Sequence, residues 1–263
     1  MRVQISMHIL LTNDDGIHAE GLHALFNTLK DKHDISVVAP KHEQSATSHR
    51  LTIKDPLRAE KINFSNGLTG YAVDGTPVDC IKLGISSLLS QRPDWVISGI
   101  NPGANTGFNV FYSGTVAAAR ESVAMGIPSM AVSIAYGKVL DFTGAAHFIC
   151  QLLEKVSNQI FPFGTLLNVN FPQGPVSQAK GIKLARQAIY HLYDLYQERK
   201  DPRNEKYYWI SDESFPITNE LNTDLGTIEK NYITISPIKI DTTDEIFLDK
   251  MKDWDLTIED NIH

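Results

Sequence analysis

Cysteine is scarce in this chain: Cys80 and Cys150 are the 2 thiols in 263 residues. Two distant thiols make no disulfide framework and have no metal-ligand spacing. That excludes a disulfide-stapled secreted scaffold and a thiolate zinc site. Long apolar runs are missing too; no stretch reaches the about 18 residues of a spanning helix. Basic residues are the minority, 24 Lys and Arg against 31 Asp and Glu, giving a net charge of −7 with no basic block. A surface that tracks a nucleic-acid polymer is therefore not expected. Neither a Gly-Lys-Ser/Thr phosphate loop nor a G-x-G-x-x-G loop occurs. What is present is ordinary globular composition, 42 % hydrophobic and 21 % charged, enough for one large domain or a domain with an appendage. The opening "MRVQISMHILL" has one Arg and a short apolar run without a small-residue cleavage site. It reads as a first strand, not a signal peptide, and cytoplasm is the expected compartment.

Residues 7–12 form an apolar run, and 17–30 place Leu22, Leu25, Phe26 and Leu29 at helical spacing. "DISVVAP" is a second strand stopped by Pro40. Such a β-α-β unit implies a parallel sheet with a right-handed crossover. "DWVISGI", "IPSMAVSI" and "TLLNVNFP" read as further strands, and "GTVAAARESVAMG" and "AAHFICQLLEKV" as helices. "DGTPVDCIKLG" is a turn with Thr76 as helix cap and Pro77 at the first helical position. The alternation predicts a doubly wound α/β core over residues 1–185. Residues 186–263 differ: "QAIYHLYDLYQERKDPRNEKYYWISDES" is aromatic and charged with no clean period. "KDPRNE" reads as the tip of a hairpin between two aromatic strands, an arm whose aromatics need a partner surface. "NYITISPIKI" alternates like a closing strand, and "EIFLDKMKDW" reads as a short C-terminal helix.

Loops leaving the C-terminal ends of parallel strands converge on one sheet edge, and three such loops here are unusually polar. The first is Asn13-Asp14-Asp15-Gly16. Alone it is a turn and helix cap with acidic first-turn residues. The second, 41–49, brings Ser45 with Ser48 and His49, and the third, 99–115, brings Asn101 and Asn105. Together they offer carboxylate, hydroxyl and amide oxygens, the ligands that Mg²⁺, Mn²⁺ and Ca²⁺ prefer. A cation also makes adjacent carboxylates tolerable. Loop three ends in Tyr112-Ser113-Gly114-Thr115 directly before a helix, a ready anion site with two added hydroxyls. Gly99, Gly103 and Gly107 suggest positive φ or close backbone approach. A cation beside a phosphate-sized anion site points to phosphoryl chemistry. His49 is a candidate acid or phosphate contact.

"ILLTNDDGIHAEGL", "VVAPKHEQSATSHRLT", "YAVDGTPVDCIKLG", "RPDWVISGINPGANTG" and "YSGTVAAARE…GIPSMAVS" together resemble the survival protein SurE family. The similarity is dense over residues 8–135, and "NTDLGTIEKNYITISPI" resembles the family's C-terminal Thr-Asp segment and closing strand. The resemblance implies a Rossmann-like fold and a metal-dependent phosphatase, a hydrolase of nucleoside 5′- and 3′-monophosphates. It implies one divalent cation per subunit, Mg²⁺ or Mn²⁺, held by Asp14, Asp15, Ser45 and Asn101. It puts the phosphate on Ser113, Gly114 and Thr115 with Asn105 in support, and implies a homodimer or homotetramer built through the C-terminal arm, 186–263. Direct attack by water is expected in preference to a phospho-Asp14, because a carboxylate committed to a cation is a poor nucleophile. Ala46 stands where the family commonly has Gly, so this loop is expected to be shaped differently. A haloacid-dehalogenase-type site would need Asp-x-Asp, and here the carboxylates are adjacent. The competing reading is a nucleotide-binding regulatory module without catalysis on the same scaffold.

Overall fold

The computed structural model describes residues 6–64, 67–190, 196–210 and 222–256. The first five residues of the N-terminal run, the aromatic stretch 191–195 and the segments 211–221 and 257–263 lie outside them. In chain order the elements are β1 (His8–Thr12), α1 (Glu20–Leu29), β2 (Asp34–Pro40), β3 (Ala59–Asn63), β4 (Thr69–Val73) and α2 (Pro77–Leu83). Then come β5 (Trp95–Pro102), α3 (Asn109–Tyr112), α4 (Gly114–Ala124), β6 (Ser129–Ile134), α5 (Phe142–Val156) and β7 (Thr165–Phe171). The chain continues with β8 (Ile182–Leu184), β9 (Tyr196–Lys200), β10 (Lys206–Ile210), α6 (Asp224–Ile228), β11 (Ile233–Lys239) and α7 (Glu245–Met251).

Among the described residues nine strands form one sheet in the order β3-β4-β2-β1-β5-β6-β7-β11-β8. The run from β4 to β7 is parallel. β3 adds antiparallel at one edge, and β11 inserts antiparallel beside β7 with β8 parallel outside it. The apolar runs of the central strands follow from burial on both faces. Ile9 and Leu11 of β1 enter one core cluster while Leu10 enters the other, and Val37, Ala39 and Val38 of β2 divide the same way. This is the period-2 alternation of a strand covered on two sides. α1 packs with α5 over the first face and α2 with α4 over the second. Cys80 in α2 and Cys150 in α5 are buried free thiols on opposite faces.

The capping box at α2 forms as its sequence requires: Thr76 accepts from Asp79 N–H, Asp79 accepts from Thr76 N–H, and Pro77 opens the helix. β3 and β4 are strands the sequence reading did not identify; α1 starts at Glu20, three residues later than the periodicity suggested. The "KDPRNE" tip joins β9 and β10, which among the described residues pair only with each other, and Asp201 closes the turn by accepting from Arg203 and Glu205 N–H at 2.8 and 2.9 Å. Tyr196, Tyr207, Tyr208, Trp209 and Ile210 of this hairpin are exposed. No helix among the described residues is long and apolar enough to cross a membrane.

The strand order reverses between β1 and β5: β1 continues outward to β2, while β5 continues the other way to β6 and β7. Their carboxyl ends flank the crevice where doubly wound sheets bind ligands.

Candidate active site

β1 ends at Thr12, level with Ser98 of β5. Immediately beyond, Asn13 closes its own turn: Nδ2 donates to the Gly16 carbonyl at 2.9 Å and Oδ1 accepts from Gly16 N–H at 3.2 Å. α1 begins with Ala19 as its cap, without a side-chain bond. The work of the turn thus falls to Asn13, and neither Asp14 nor Asp15 caps the helix.

Asp14 is buried and accepts from the Thr115 hydroxyl at 2.5 Å. Burial raises its carboxyl above the usual range, opposed by hydrogen bonds from Thr115. Asp15 is pushed up to about 7, first by burial, then by the charges of Asp14 and Glu43. Its Oδ2 is buried with no hydrogen-bond partner. Gly114 abuts Asp14: a Cβ there would stand 2.8 Å from Asp14 Cβ and 3.0 Å from its Oδ2. The first residue of α4 is glycine for lack of room.

The 41–49 loop lies against the same turn. Gln44 N–H donates to the Asp14 carbonyl at 2.7 Å. The Ser45 hydroxyl donates to Glu43 at 2.5 Å. Ala46 takes φ +54°, the left-handed conformation that strains alanine and that glycine adopts freely. Ser48, also at φ +54°, ties the loop to the residues before α4, donating from N–H to Tyr112 O at 3.0 Å and from Oγ to Phe111 O at 2.6 Å.

A bulge between Ser98 and Asn101 breaks the register of β5 with β6, a device that re-aims side chains near sites. Gly99 and Gly103 sit at φ +137° and +118°, and a Cβ on Gly99 would come 2.4 Å from the Val132 carbonyl oxygen. Asn101 donates from Nδ2 to the Gly103 carbonyl at 2.7 Å, which leaves its Oδ1 as an acceptor.

Ser113 caps α4, accepting from Val116 N–H at 3.1 Å and keeping its own hydroxyl proton. Asn105 belongs to a buried amide network. Its N–H donates to Asn170 at 2.7 Å, its Nδ2 to Ser133 at 2.8 Å, and its carbonyl accepts from Asn168 at 2.7 Å. His49 reaches Glu121 through Nε2 at 2.8 Å, and Lys82 reaches the other Glu121 oxygen at 2.9 Å. These two cationic or donor partners hold the Glu121 carboxyl below its usual range.

Further participants lie outside the residues to which the sequence points. Glu43 hides in a uniformly polar loop, and Glu121 sits within a helix. Asn168 and Asn170 did carry a signal, since two asparagines in a strand as apolar as "TLLNVNFP" must find buried partners. The Thr-Asp segment is placed as well. Thr223 caps α6, and buried Asp224 accepts from Gly107 N–H at 3.0 Å and Ala188 N–H at 2.9 Å, fastening loop three to the C-terminal half.

Among the described residues no group of three His, Cys, Asp or Glu that could hold a metal occurs. The sequence-expected set is two carboxylates with the hydroxyl of Ser45, here bonded to Glu43, and the amide oxygen of Asn101, here free to accept. Such a set suits a hard cation that keeps part of its water shell, and the unpartnered Asp15 Oδ2 is a buried charge site such a cation would satisfy.

A doubly wound α/β sheet with paired carboxylates at its switch point, one of them against a helix N-terminus, defines an α/β protein with a candidate site at that crevice. The sequence model of the family described as Survival protein SurE matches residues 9–194, and the chain belongs to that family. The 5′-nucleotidase SurE of Desulfatibacillum aliphaticivorans is 45 % identical over 248 residues, covering 94 % of this chain and 98 % of that protein. The 5′-nucleotidase SurE of Carboxydothermus hydrogenoformans is 42 % identical over 258 residues, covering 96 % and 98 %. The crystal structure of the SurE protein from Aquifex aeolicus superposes with a TM-score of 0.82 at 36 % identity, over 93 % of this chain and 98 % of that one.

Proposed function

We propose that the chain is a metal-dependent 5′-nucleotidase, a phosphomonoesterase that releases phosphate from nucleoside 5′-monophosphates and also from 3′-monophosphates. The observation that carries this reading is the Asp14–Asp15 pair, with Asp14 held against the N-terminus of α4 by Gly114 and Thr115 and one buried Asp15 oxygen without a partner among the described residues. Relatives named 5′-nucleotidase SurE match over almost the whole chain. Asp14, Asp15, Ser45 and Asn101 would hold one Mg²⁺ or Mn²⁺ per subunit. When bound, the cation supplies Lewis-acid polarisation of the phosphate and offsets the repulsion between the carboxylates.

The chain's own groups do the rest. Thr115 fixes the Asp14 carboxylate in one orientation through its hydroxyl. Ser113 and the first N–H groups of α4 receive the phosphate oxygens, where the helix dipole favours negative charge. Asn105 holds loop three rigid through the amide network. Water attacks phosphorus and the ester P–O bond breaks; Asp14, which would hold the cation, is not the nucleophile. We assign His49 to holding the 41–49 loop against α4 through Glu121, which lies six residues, about 9 Å, along the helix from Thr115. The attacking water loses its proton to solvent, and solvent water protonates the departing alkoxide oxygen to give the nucleoside hydroxyl. The exposed aromatics of the hairpin support a homodimer or homotetramer through this arm.

The test is phosphate release from a panel of mononucleotides, in chelator and with each divalent cation restored. Cation-dependent release is expected. Nucleotide binding without any release would favour the regulatory module instead.

A further inference from the structure

Beside the site lies a second open groove, of about 540 Å³, lined by Gln44, Arg50, Thr52, Asp55, Arg58 and Asp74 among others. This falls within the about 300–1,000 Å³ range of small-molecule sites. Its inner wall is the site's own framework. Gln44 donates its N–H to the Asp14 carbonyl at 2.7 Å. Thr76, also in the wall, precedes Pro77, whose ring would lie 3.1 Å from a Cβ on Gly114. The groove therefore begins where the phosphate site ends.

The groove is also held in shape. Thr52 donates from N–H and hydroxyl to Asp79 at 3.0 and 2.6 Å, and the Thr76 hydroxyl donates to the Arg50 carbonyl at 2.7 Å. Asp74 N–H donates to the Arg58 carbonyl at 2.8 Å. The side chains on its rim are less tied. Among the described residues, neither the Arg50 nor the Arg58 guanidinium has a hydrogen-bond or ion-pair partner.

The charge pattern selects the occupant. Two arginines and two aspartates sum to zero, so the groove offers no net attraction for a second phosphate. It offers donors and acceptors together, with planar guanidinium faces. That chemistry suits a nucleoside: ribose hydroxyls and base amines pair with carboxylates, base acceptors pair with guanidinium, and the base plane stacks on it.

We propose that this groove is the nucleoside subsite of the enzyme, with Arg50 and Arg58 as the residues that distinguish a nucleotide from a simple phosphate ester. The proposal rests on the nucleotidase reading of the Asp14–Asp15 site. It makes the substrate's phosphate the group at α4 and its nucleoside the group between the 50–58 loop and the turn at 74–76. Base contacts of this kind raise KM for nucleotides when removed and leave esters without a base untouched.

The test compares kcat/KM for AMP and GMP with that for ribose 5-phosphate, in the unaltered chain and in Arg50→Ala, Arg58→Ala and the double variant. The proposal expects the nucleotide-to-ribose-phosphate ratio to fall about tenfold or more in the double variant, mainly through KM, with ribose 5-phosphate turnover unchanged. An unchanged ratio overturns it. Calorimetric binding of GMP in chelator is measured alongside. If no ester is hydrolysed under any cation, the nucleotidase reading fails. The groove assignment then still stands if GMP binds and the double variant weakens it, and falls if binding is absent or unaffected.

Discussion

Gly114→Ala is the sharpest single perturbation of this site. The added Cβ would stand 2.8 Å from Asp14 Cβ, 3.0 Å from Asp14 Oδ2 and 3.1 Å from Pro77 Cγ. Carbon pairs are at ease near about 3.5–4.0 Å. The Asp14 side chain must therefore yield by about 0.5 Å or more, and it starts buried with its hydroxyl partner already in place. Overpacking of this kind costs about 1–3 kcal/mol. Alanine returns up to about 1 kcal/mol as a better helix former than glycine. The net loss of stability is about 0–3 kcal/mol. Activity should suffer far more, because a misplacement approaching 1 Å at reacting groups costs about 100-fold. The assay is phosphate release from a 5′-mononucleotide across a Mn²⁺ titration, with urea unfolding of both proteins as the stability control. The expected result is at least a tenfold loss in kcat and a weaker apparent Mn²⁺ affinity. Unaltered turnover and Mn²⁺ dependence would refute the close apposition of Gly114 and Asp14 as a functional feature.

Three further outcomes follow from the same geometry. Asp14→Asn removes a formal charge from the proposed cation site, so calorimetry should show weakened Mn²⁺ binding, and phosphate release should fall at least 100-fold; retention of both at limiting cation would exclude Asp14 as a ligand. In chelator, folded Asp15 keeps its proton up to about 7 while the unfolded chain releases it near 3.8. The folded state binds more protons between those values, so this group's contribution to stability falls as pH rises through that window. The slope is at most about 1.4 kcal/mol per pH unit and smaller for a partly exposed group. Urea unfolding at pH 5.5 and 7.5, taken as the difference from Asp15→Asn, should show this decline, and saturating Mg²⁺ should abolish it; a rise in chelator contradicts it. Ala46→Gly should stabilise by about 0.5–1 kcal/mol, because a left-handed alanine costs about 1–2 kcal/mol and glycine's unfolded-state freedom takes back part of it; a lower unfolding midpoint would contradict this.

The core was legible because parallel strands covered on both faces must be apolar throughout, and helices between them must show the 3.6 period. "HILLT", "DISVVAP" and "SMAVSI" carry that signal. "AEKIN" and "TGYAV" do not: β3 is a polar edge strand and β4 includes a glycine fitted against Val37. At the site, the three polar loops could be read from residue type and from where parallel strands end. Which side chain bonds to which could not. That Asn13 carries out the turn, that Thr115 turns to Asp14, that His49 turns to Glu121 and that Asp224 holds Gly107 are contacts across tens of residues or between equivalent neighbours. They depend on how loops meet once the sheet is formed. The awkwardness of adjacent aspartates was visible locally; the buried oxygen left over on Asp15 needed the fold around it.

Anomalous scattering from a crystal of the protein grown with Mn²⁺ and a nucleoside monophosphate locates the cation. The account predicts one Mn²⁺ per subunit bounded by Asp14, Asp15, Ser45 and Asn101, with the phosphate against Ser113 and Gly114. A Mn²⁺ peak elsewhere, or no peak at these four residues with the nucleotide bound, would contradict it.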